Sequence, residues 1–348
     1  MPSADGARLL RLVEAFQGKR VLVLGDLIAD EYIHGKPARI SREAPVLILR
    51  FLHQDVRLGG AANASHNLQT LGARVLPLGV VGDDWAGGAV RRLFGELGVT
   101  TDGIVASADR ATPVKTRIMA GGYLAAPRQQ LVRVDREPEG AVAPAAEALL
   151  LERLAAWGPQ ADAIVLSDYG YGTITPRLLD AVRGLAARGT VVTADSRYDV
   201  LRFEGLSAAK ANEPEVEQVL GVSLDGDKAV EQAGWRLLER LDSRLLLVTR
   251  GSKGLVLFER GEAAAFLPIY GNDEIADVTG AGDTVISTFT LALAGGAQPV
   301  DAARLSNYAG GVVVMKRGTA SITREELCEA VCRDAAARGR NEGEGRRP

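Results

Sequence analysis

The stretch Arg20-Val-Leu-Val-Leu-Gly25, followed directly by Asp26, shows the pattern on which the fold of this chain rests. It is a short apolar run that is closed by a glycine and an acid. Similar runs, each followed by an Asp, Gly-Asp or Arg-Gly turn, occupy residues 75–81, 163–167, 190–194 and 244–249. Because unbroken apolar runs are typical of strands buried on both faces, these segments predict a parallel sheet.

Helical patterns separate these runs, for example at residues 176–188 and 227–241. Strands that alternate with helices predict helices on both faces of the sheet. The sequence therefore predicts a three-layer α/β/α fold with a mostly parallel central sheet, in a single domain over residues 1–337. The Gly-, Arg- and Glu-rich stretch 338–348 predicts a disordered tail.

Two segments, residues 31–58 and 110–135, depart from this alternation. They carry β-branched and alternating stretches, such as residues 46–51 and 114–119, without a helical pattern between them. They predict antiparallel strands that stand apart from the main sheet as a small β lid over one end of it. The alternative is that they form edge hairpins of the main sheet.

The overall composition limits the classes of function. The 348 residues are 47% hydrophobic and have a formal net charge of −3, which allows a large core and argues against nucleic acid as the main partner. The N-terminus lacks the apolar core of a signal peptide, and no window of about 18 apolar residues occurs. We therefore expect a cytoplasmic protein without a membrane span.

Cysteines and histidines are few. Cys328 and Cys332 lie four residues apart in a predicted helix, and the three histidines, His34, His53 and His66, are scattered along the chain. Neither CxxC nor HxxxH occurs, so these residues predict no metal cluster. Two cysteines in a chain of this length also favour a reducing compartment.

Acids and glycines recur where the predicted strands end. They are Asp26, Asp83, Asp168, Asp195 and Gly251. Ligands of open parallel sheets bind outside the carboxyl ends of the strands, so these residues predict a polar cleft that could employ a metal ion. Since Asp and Gly also cap helices and form turns, each of them alone is better explained by a structural role.

The segment Asp277-Val-Thr-Gly-Ala-Gly-Asp283-Thr284 precedes an apolar helix predicted over residues 285–294. Its small residues let a ligand approach the backbone, and the N–H groups of residues 280–283 together with the helix dipole predict an anion site. A carboxylate in this first turn could act as the base that takes the proton from a hydroxyl as that hydroxyl attacks a bound phosphate. We assign that role to Asp283. The alternative is an ordinary helix N-terminus whose acid is favoured by the dipole.

Two common nucleotide-binding motifs do not occur in the sequence. Without GxxxxGK[ST] the glycines do not form a P-loop, and without GxGxxG they do not form a dinucleotide fingerprint. The second absence argues against a nicotinamide-dependent dehydrogenase.

Between about residues 19 and 330 the chain resembles the PfkB/ribokinase family of carbohydrate kinases. The segments that carry this resemblance are 59–72, 212–215, 249–254 and 277–284. Within that family, segments 25–30, 39–46, 130–135, 166–170 and 310–319 resemble the kinase module of the D-glycero-β-D-manno-heptose 7-phosphate kinases. No nucleotidyltransferase module follows, so any adenylyl transfer is expected to lie elsewhere.

The resemblance implies a role for each matching residue. Asp283 is the base, with Gly280, Ala281 and Gly282 as the anion hole. The sugar-binding residues are Asp26, Asp30, Gly59, Gly60, Asn63, Lys115, Arg133 and Asp168, with Arg39 and Arg117 as further candidates for the sugar phosphate and Asp195 as a less certain polar member of the cleft. The residues that serve ATP and Mg²⁺ are Asn212, Glu215 (indirectly on Mg²⁺), Thr249, Gly251, Gly254 and Asn307. Asp277, Thr279 and backbone near Val313, Lys316 and Gly318 hold a monovalent cation such as K⁺. For each basic residue, a solvated position on the lid is an equally good explanation.

The function implied is an ATP-dependent kinase that converts D-glycero-β-D-manno-heptose 7-phosphate to the 1,7-bisphosphate. A kinase of the same fold for ribose, a fructose phosphate, 2-keto-3-deoxygluconate or a nucleoside is one alternative. A non-catalytic regulator that binds a nucleotide or sugar is another, since fold does not fix function. The exposed lid also predicts a homodimer formed through it.

Overall fold

The computed structural model describes residues 4–121, 129–271 and 277–344. Thirteen strands lie within these ranges. In chain order they are β1 (Arg20–Gly25), β2 (Leu27–Ile40), β3 (Leu47–Gly60), β4 (Arg74–Gly82), β5 (Ile104–Ser107), β6 (Val114–Ala120), β7 (Gln129–Arg136), β8 (Ala163–Asp168), β9 (Val191–Ser196), β10 (Ala208–Asn212), β11 (Leu245–Thr249), β12 (Leu255–Glu259) and β13 (Ala265–Leu267).

The same ranges contain ten α-helices. They are α1 (Ala4–Glu14), α2 (Ala61–Thr70), α3 (Trp85–Glu96), α4 (Pro144–Trp157), α5 (Pro176–Ala186), α6 (Glu213–Leu220), α7 (Asp227–Arg240), α8 (Ala281–Ala294), α9 (Pro299–Val313) and α10 (Arg324–Glu344). None of these described helices is both long and apolar enough to cross a membrane.

The main sheet has nine strands in the order β13-β12-β11-β10-β9-β8-β1-β4-β5. The seven strands from β11 to β5 are parallel, and β12 and β13 are added antiparallel at one edge. Each predicted apolar run forms one of the parallel strands, so the mostly parallel sheet is confirmed. The sheet extends in both directions from β1, because β4 pairs with one edge of that strand and β8 pairs with the other.

Helices cover both faces of this sheet, as the alternating side chains of β1 show. Val21 and Val23 pack into a core with α1, α2, α3, α8, α9 and α10. Leu22 and Leu24 point the other way, into a core with α4 and α5, and α6 and α7 enclose a third cluster on the same side. Successive residues of a strand face opposite sides of the sheet. Because both sides are covered by helices here, every residue of the strand must be apolar, which gives an unbroken apolar run.

A second sheet has four strands in the order β3-β2-β6-β7. Its strands contain most of the two predicted lid segments. The predicted antiparallel pairing is confirmed for β2–β3 and β6–β7, whereas β2 and β6 run parallel. The chain between β3 and β6 passes through α2, β4, α3 and β5, and such a long connection lets two neighbouring strands run in the same direction.

The prediction that the histidines form no cluster is wrong. His34 of β2 pairs in register with His53 of β3, and their rings stack with centroids 4.3 Å apart. The two residues are scattered in sequence, but antiparallel pairing places them side by side.

At the C-terminus, α10 continues to Glu344, into the stretch 338–348 that predicts a disordered tail. Arginine and glutamate, which recur in this stretch, are good helix formers, so they are compatible with continuation of the helix. Residues 345–348 lie outside the described residues, as do residues 122–128 of the predicted lid segment.

Candidate active site

A cleft of about 750 Å³ lies at the carboxyl ends of β8–β11, between the main sheet and the second sheet. A pocket of this volume is ample for a small-molecule ligand. The predicted site residues that line it are Asp30, Gly60, Lys115, Arg117, Arg133, Asp168, Asp195, Asn212, Glu215, Thr249, Gly251, Gly254, Thr279, Gly280, Ala281, Gly282, Asp283 and Asn307.

Asp26 does not line the cleft but holds its wall in place. Its buried carboxylate accepts hydrogen bonds from the backbone N–H groups of Tyr169 and Tyr171 at 2.8 and 3.1 Å, and from that of Thr173 at 3.3 Å. These contacts fix the loop after β8. Asp26 thus anchors this loop, and the direct contact with a sugar hydroxyl that the resemblance implies stays a prediction.

Gly59 also lies outside the cleft lining. A Cβ atom at this position would come within 2.7 Å of Oδ2 of Asp30, so the glycine gives the Asp30 carboxylate room to lie against β3. Asp30 in turn accepts hydrogen bonds from Arg117 at 2.6 Å and from Thr319 at 2.6 Å. The carboxylate is thus oriented at the edge of the cleft by a cation and a hydroxyl.

Asp283 lies in the first turn of α8 and is buried, with 3% of its surface exposed. Asn63 donates to its Oδ2 at 2.8 Å, and the Tyr169 hydroxyl donates to its Oδ1 at 3.0 Å. Burial raises the pKa of Asp283 to about 7, assisted by the charge of Asp195 and opposed by the two hydrogen bonds. A carboxylate with a pKa near neutrality can accept a proton, as a general base must.

The turn before Asp283 has the geometry that its small residues predict. Gly280 caps α8 in the left-handed region, with φ 78°, and a Cβ there would come within 2.6 Å of the Asn63 amide nitrogen. The Ala281 N–H is already used by a turn to the Val278 carbonyl at 3.2 Å. The N–H groups of Gly282 and Asp283 have no acceptor within the helix, so these two are the groups of the first turn that could donate to an anion. The part predicted for Ala281 in the anion hole stays a prediction.

Lys210 and Asp195 form a buried ion pair beside this turn that the sequence analysis did not identify as a pair. The ammonium lies 2.8 Å from both oxygens of Asp195, and a Cβ at Gly282 would come within 3.0 Å of Nζ. Burial alone would lower the pKa of Lys210, but the charge of Asp195 outweighs it and raises that pKa, so the lysine stays charged. The sequence signal for this pair is a lysine between the alanines of β10, because a charged residue in a buried strand needs a partner of opposite charge.

A helix cap forms the part of the cleft that contains Asn212 and Glu215, which are predicted to serve a nucleotide. The Asn212 side chain accepts from the Glu215 N–H at 2.8 Å, and Glu215 Oε2 accepts from the Asn212 N–H at 2.8 Å, which is a capping box at the start of α6. Burial raises the pKa of Glu215. Asn307, on α9, donates to the Pro268 carbonyl at 2.6 Å and lines the same region.

On the opposite side, three basic side chains converge on the cleft: Lys115, Arg133 and Arg197. Burial lowers the pKa of Lys115; the charge of Asp30 opposes this effect, and the charges of Arg197 and Arg133 add to it. Lys115 also lies 4.8 Å above the Tyr169 ring. Arg197, which follows β9 directly, was not among the predicted residues. Arg39 lies on the exposed outer end of β2 and does not line the cleft, so its contact with the sugar phosphate stays a prediction.

Asp277 lies beside the cleft, not in its lining. Its carboxylate accepts from the N–H groups of Thr279 and Gly318, both at 2.9 Å, and its own N–H donates to the Val314 carbonyl at 3.0 Å. Burial alone would raise the pKa of Asp277, but these hydrogen bonds hold it below the usual value. The structure thus brings together the segments predicted to surround a monovalent cation.

The sequence and fold have known relatives. The family model for pfkB family carbohydrate kinases matches residues 19–326. The Bifunctional protein HldE of Geobacter sulfurreducens is 39% identical over 308 residues, which make up 88% of this chain and 61% of that relative. The Bifunctional protein HldE of Caulobacter sp. (strain K31) is 39% identical over 322 residues, with coverages of 92% and 64%. The chain therefore spans less than two thirds of the length of these relatives.

Solved structures with the same fold include Arabidopsis thaliana ribokinase complexed with ribose and ATP, with a TM-score of 0.70, 18% identity and coverage of 90% of this chain and 99% of that one. Phosphofructokinase-2 from Escherichia coli in complex with potassium has a TM-score of 0.72 at 15% identity, with coverages of 92% and 100%. At these identities the likeness shows the fold, and the site must be argued from its own residues.

Proposed function

The chain belongs to the pfkB family of carbohydrate kinases, and on that premise we propose that it transfers the γ-phosphoryl group of ATP to a hydroxyl of a sugar phosphate. The proposed substrate is D-glycero-β-D-manno-heptose 7-phosphate and the product its 1,7-bisphosphate. The resemblance to the heptose 7-phosphate kinases supports this substrate, and the arrangement of charges in the cleft supports the class to which it belongs.

One observation carries the proposal: a buried carboxylate at a helix N-terminus and three converging cations face the same cleft. Asp283 offers a base where a hydroxyl would be attacked. Lys115, Arg133 and Arg197 face the cleft together; Arg133 also pairs with Asp135 at 2.8 Å, and a phosphate dianion could accept several charge-assisted hydrogen bonds from this group at once. An unphosphorylated sugar or a nucleoside would leave these cations without that partner.

In the proposed mechanism the protein positions the reactants and stabilises charge, since phosphoryl transfer passes through a loose transition state. Asp283 takes the proton of the attacking hydroxyl. The N–H groups of Gly282 and Asp283, at the positive end of α8, and the ammonium of Lys210 face the charge that develops on the transferred group. Closure of the second sheet over the cleft would exclude water and limit hydrolysis of ATP.

The residues on the nucleotide side fit ATP with Mg²⁺. Glu215 and Asp195 present carboxylate oxygens next to the anion-binding turn, and Mg²⁺ is usually held by one or two carboxylates together with substrate phosphates. Bound with ATP, the ion would neutralise charge on the phosphates. Thr249, the last residue of β11, and Gly251 and Gly254, which follow that strand, line the cleft, where bulkier side chains would narrow the approach of the nucleotide.

We further propose that K⁺ binds beside Asp277. A carboxylate with the carbonyls of a turn is the oxygen set that a hard cation prefers, and the Asp277 carboxylate is charged and already oriented. Replacing K⁺ by tetramethylammonium at constant ionic strength should lower activity. Full activity without K⁺ or another small monovalent cation would contradict this part of the proposal.

The proposed homodimer rests on the second sheet. Apolar side chains on its strands are strongly exposed, including Phe51 at 62%, Ile40 at 60% and Val134 at 56%. Several exposed apolar side chains on one sheet indicate an interface, and a second copy of the chain would cover them symmetrically. Light scattering should give the mass of a dimer, and Phe51→Asp should shift the population to monomer. A monomeric wild-type chain would contradict the dimer.

The experiment that tests the substrate is an ADP-release assay with ATP and Mg²⁺ over a panel of acceptors: heptose 7-phosphate, fructose 1- and 6-phosphates, ribose, 2-keto-3-deoxygluconate and adenosine. Turnover of heptose 7-phosphate alone is expected. Turnover of ribose or adenosine, in preference to the phosphorylated sugars, would retain the kinase and overturn the role of the three cations. ATP binding without turnover on the whole panel would favour a regulator.

A further inference from the structure

We propose that His34, His53 and Asp55 form a binding site for a transition-metal dication such as Zn²⁺ or Ni²⁺ on the second sheet. One ligand atom from each of the three residues lies within 4.8 Å of the others. This proposal does not depend on the kinase reaction, because the three residues lie outside the lining of the cleft.

Strand geometry brings these side chains together. His34 lies opposite His53 in the register of β2 and β3. Asp55 follows His53 by two residues on the same strand, and residues two apart face the same side of a sheet. A ladder with a histidine on one strand and His-x-Asp on the next therefore presents two imidazoles and a carboxylate on one face.

The donor set selects a class of metal. Imidazole nitrogen suits Zn²⁺, Ni²⁺, Cu²⁺ and Co²⁺, and a carboxylate completes sites of this kind. Mg²⁺ and Ca²⁺ prefer ligand sets made of oxygen. Three protein ligands leave positions for water, as in an open rather than a closed zinc site.

The surrounding contacts orient the carboxylate. The Arg57 guanidinium donates to Oδ2 of Asp55 at 3.1 Å, and Oδ1 faces Nε2 of His34 at 2.9 Å. A metal ion would replace the proton shared between His34 and Asp55. The orienting hydrogen bond on the outer oxygen is the kind of support that fixes a metal ligand.

Two features limit the affinity. The imidazole planes are within 14° of parallel, so His53 must turn about its side-chain torsions to aim a nitrogen at the same ion as His34. His53 is exposed, which allows this movement. The positive charge of Arg57 opposes a cation, but its side chain is 39% exposed and water screens it. We therefore expect micromolar rather than nanomolar binding.

An ion at this site would tie β2 to β3 at a point where the strand pairing is irregular. The register shifts immediately after His34. The same strand carries Asp30 four residues earlier, on the same face, and Asp30 lines the cleft. Metal binding would therefore stiffen the sheet that faces the substrate, through a site separate from the one that binds it.

The test uses the full-length chain, with any affinity tag removed and bound metals stripped by a chelator. Titration with Zn²⁺ alone, followed by calorimetry, should show one equivalent bound per chain. His53→Ala should weaken binding at least tenfold, as loss of one of three ligands predicts, and Asp55→Asn should weaken it as well. Because His53 is exposed, its substitution leaves the core intact. Zn²⁺ should also raise the melting temperature of the wild type and not of His53→Ala.

Two controls separate this site from others. His66→Ala removes the third histidine, which lies on α2, and should leave the affinity unchanged. A Cys328→Ser, Cys332→Ser double variant removes both thiols and should also leave it unchanged. No measurable binding by the wild type, undiminished binding by His53→Ala, or loss of binding in the cysteine variant would each overturn the proposal.

Discussion

The Tyr169 hydroxyl donates a hydrogen bond to Oδ1 of Asp283 across 3.0 Å, from a loop that is 114 residues away in sequence. Asn63 donates to the other oxygen of the same carboxylate. Both oxygens of the proposed base are thus held, and the side chain is fixed in one orientation before any substrate arrives. Preorganisation of this kind contributes to rate because the base need not search for its position.

Replacement of the base is the first prediction. Asp283→Asn keeps the shape of the side chain and removes its capacity to accept a proton, so kcat should fall by roughly 10²- to 10⁴-fold. ATP binding, measured by calorimetry, should change little, because the backbone donors of the turn remain. Asp180→Asn is the matched control, since that carboxylate is 72% exposed on α5 and should leave kcat unchanged. Near-full activity in Asp283→Asn would show that the base is another group.

Removal of the Tyr169 hydroxyl is expected to change the pH profile. The hydrogen bond from Tyr169 lowers the pKa of Asp283, so in Tyr169→Phe that pKa should rise further. The acid limb of kcat/KM should therefore move to higher pH, with a loss of activity that is largest at acidic pH.

Tyr308→Phe serves as the control for this variant, because its hydroxyl donates to Asp334 at 2.6 Å and does not contact the base. If Tyr169→Phe lowers activity by the same factor at every pH, the tyrosine supports the structure without tuning the base.

The free energy of unfolding should depend on pH through the carboxyl group of Asp283. Its pKa is raised from 3.8 to about 7 on folding, so the folded state binds more protons than the unfolded state between these values. The stability contributed by this group is therefore greatest below about pH 4 and decreases as pH rises to about 7, by up to about 4 kcal/mol.

Urea denaturation of the wild type and Asp283→Asn at pH 5 and pH 8 would measure this effect. The free energy of unfolding of the wild type should fall between pH 5 and pH 8 by more than that of the variant. The difference between the two proteins should therefore shift in favour of the variant at pH 8. An equal difference between the two proteins at both pH values would show that the Asp283 pKa is not raised.

Lys115, Arg133 and Arg197 should contribute to binding of the sugar phosphate and not to binding of ATP. Arg197→Gln removes one of them and should raise the KM for the sugar phosphate at least tenfold, with little effect on the KM for ATP, since a hydrogen bond to a charged group contributes roughly 1.5–3 kcal/mol. Arg39→Gln is the matched control, because Arg39 lies on the exposed end of β2. A larger effect of Arg39→Gln than of Arg197→Gln would place the phosphate elsewhere.

Local patterns in the sequence determined much of this protein. Unbroken apolar runs predicted the parallel strands, because a strand that is buried on both faces needs apolar residues at every position. In β1, alternate residues pack into two different cores. The turn of residues 280–283 predicted the start of a helix and its anion site, because glycine and the free N–H groups of a helix end are local properties. The separate lid strands were also apparent, although their mixed pairing was not.

Only the tertiary structure decided which side chains meet. Asn63 lies 220 residues from Asp283, and His34 lies 19 positions before His53, so no short motif could pair them. Long connections between strands bring Asn63 to Asp283, whereas antiparallel pairing of β2 with β3 brings His34 to His53. The hydrogen bonds from the loop after β8 to Asp26 likewise join segments that are distant in sequence. The sequence thus determined the strands, the helices and the reactive turn through local periodicity, whereas the contacts of each polar side chain depended on long-range packing.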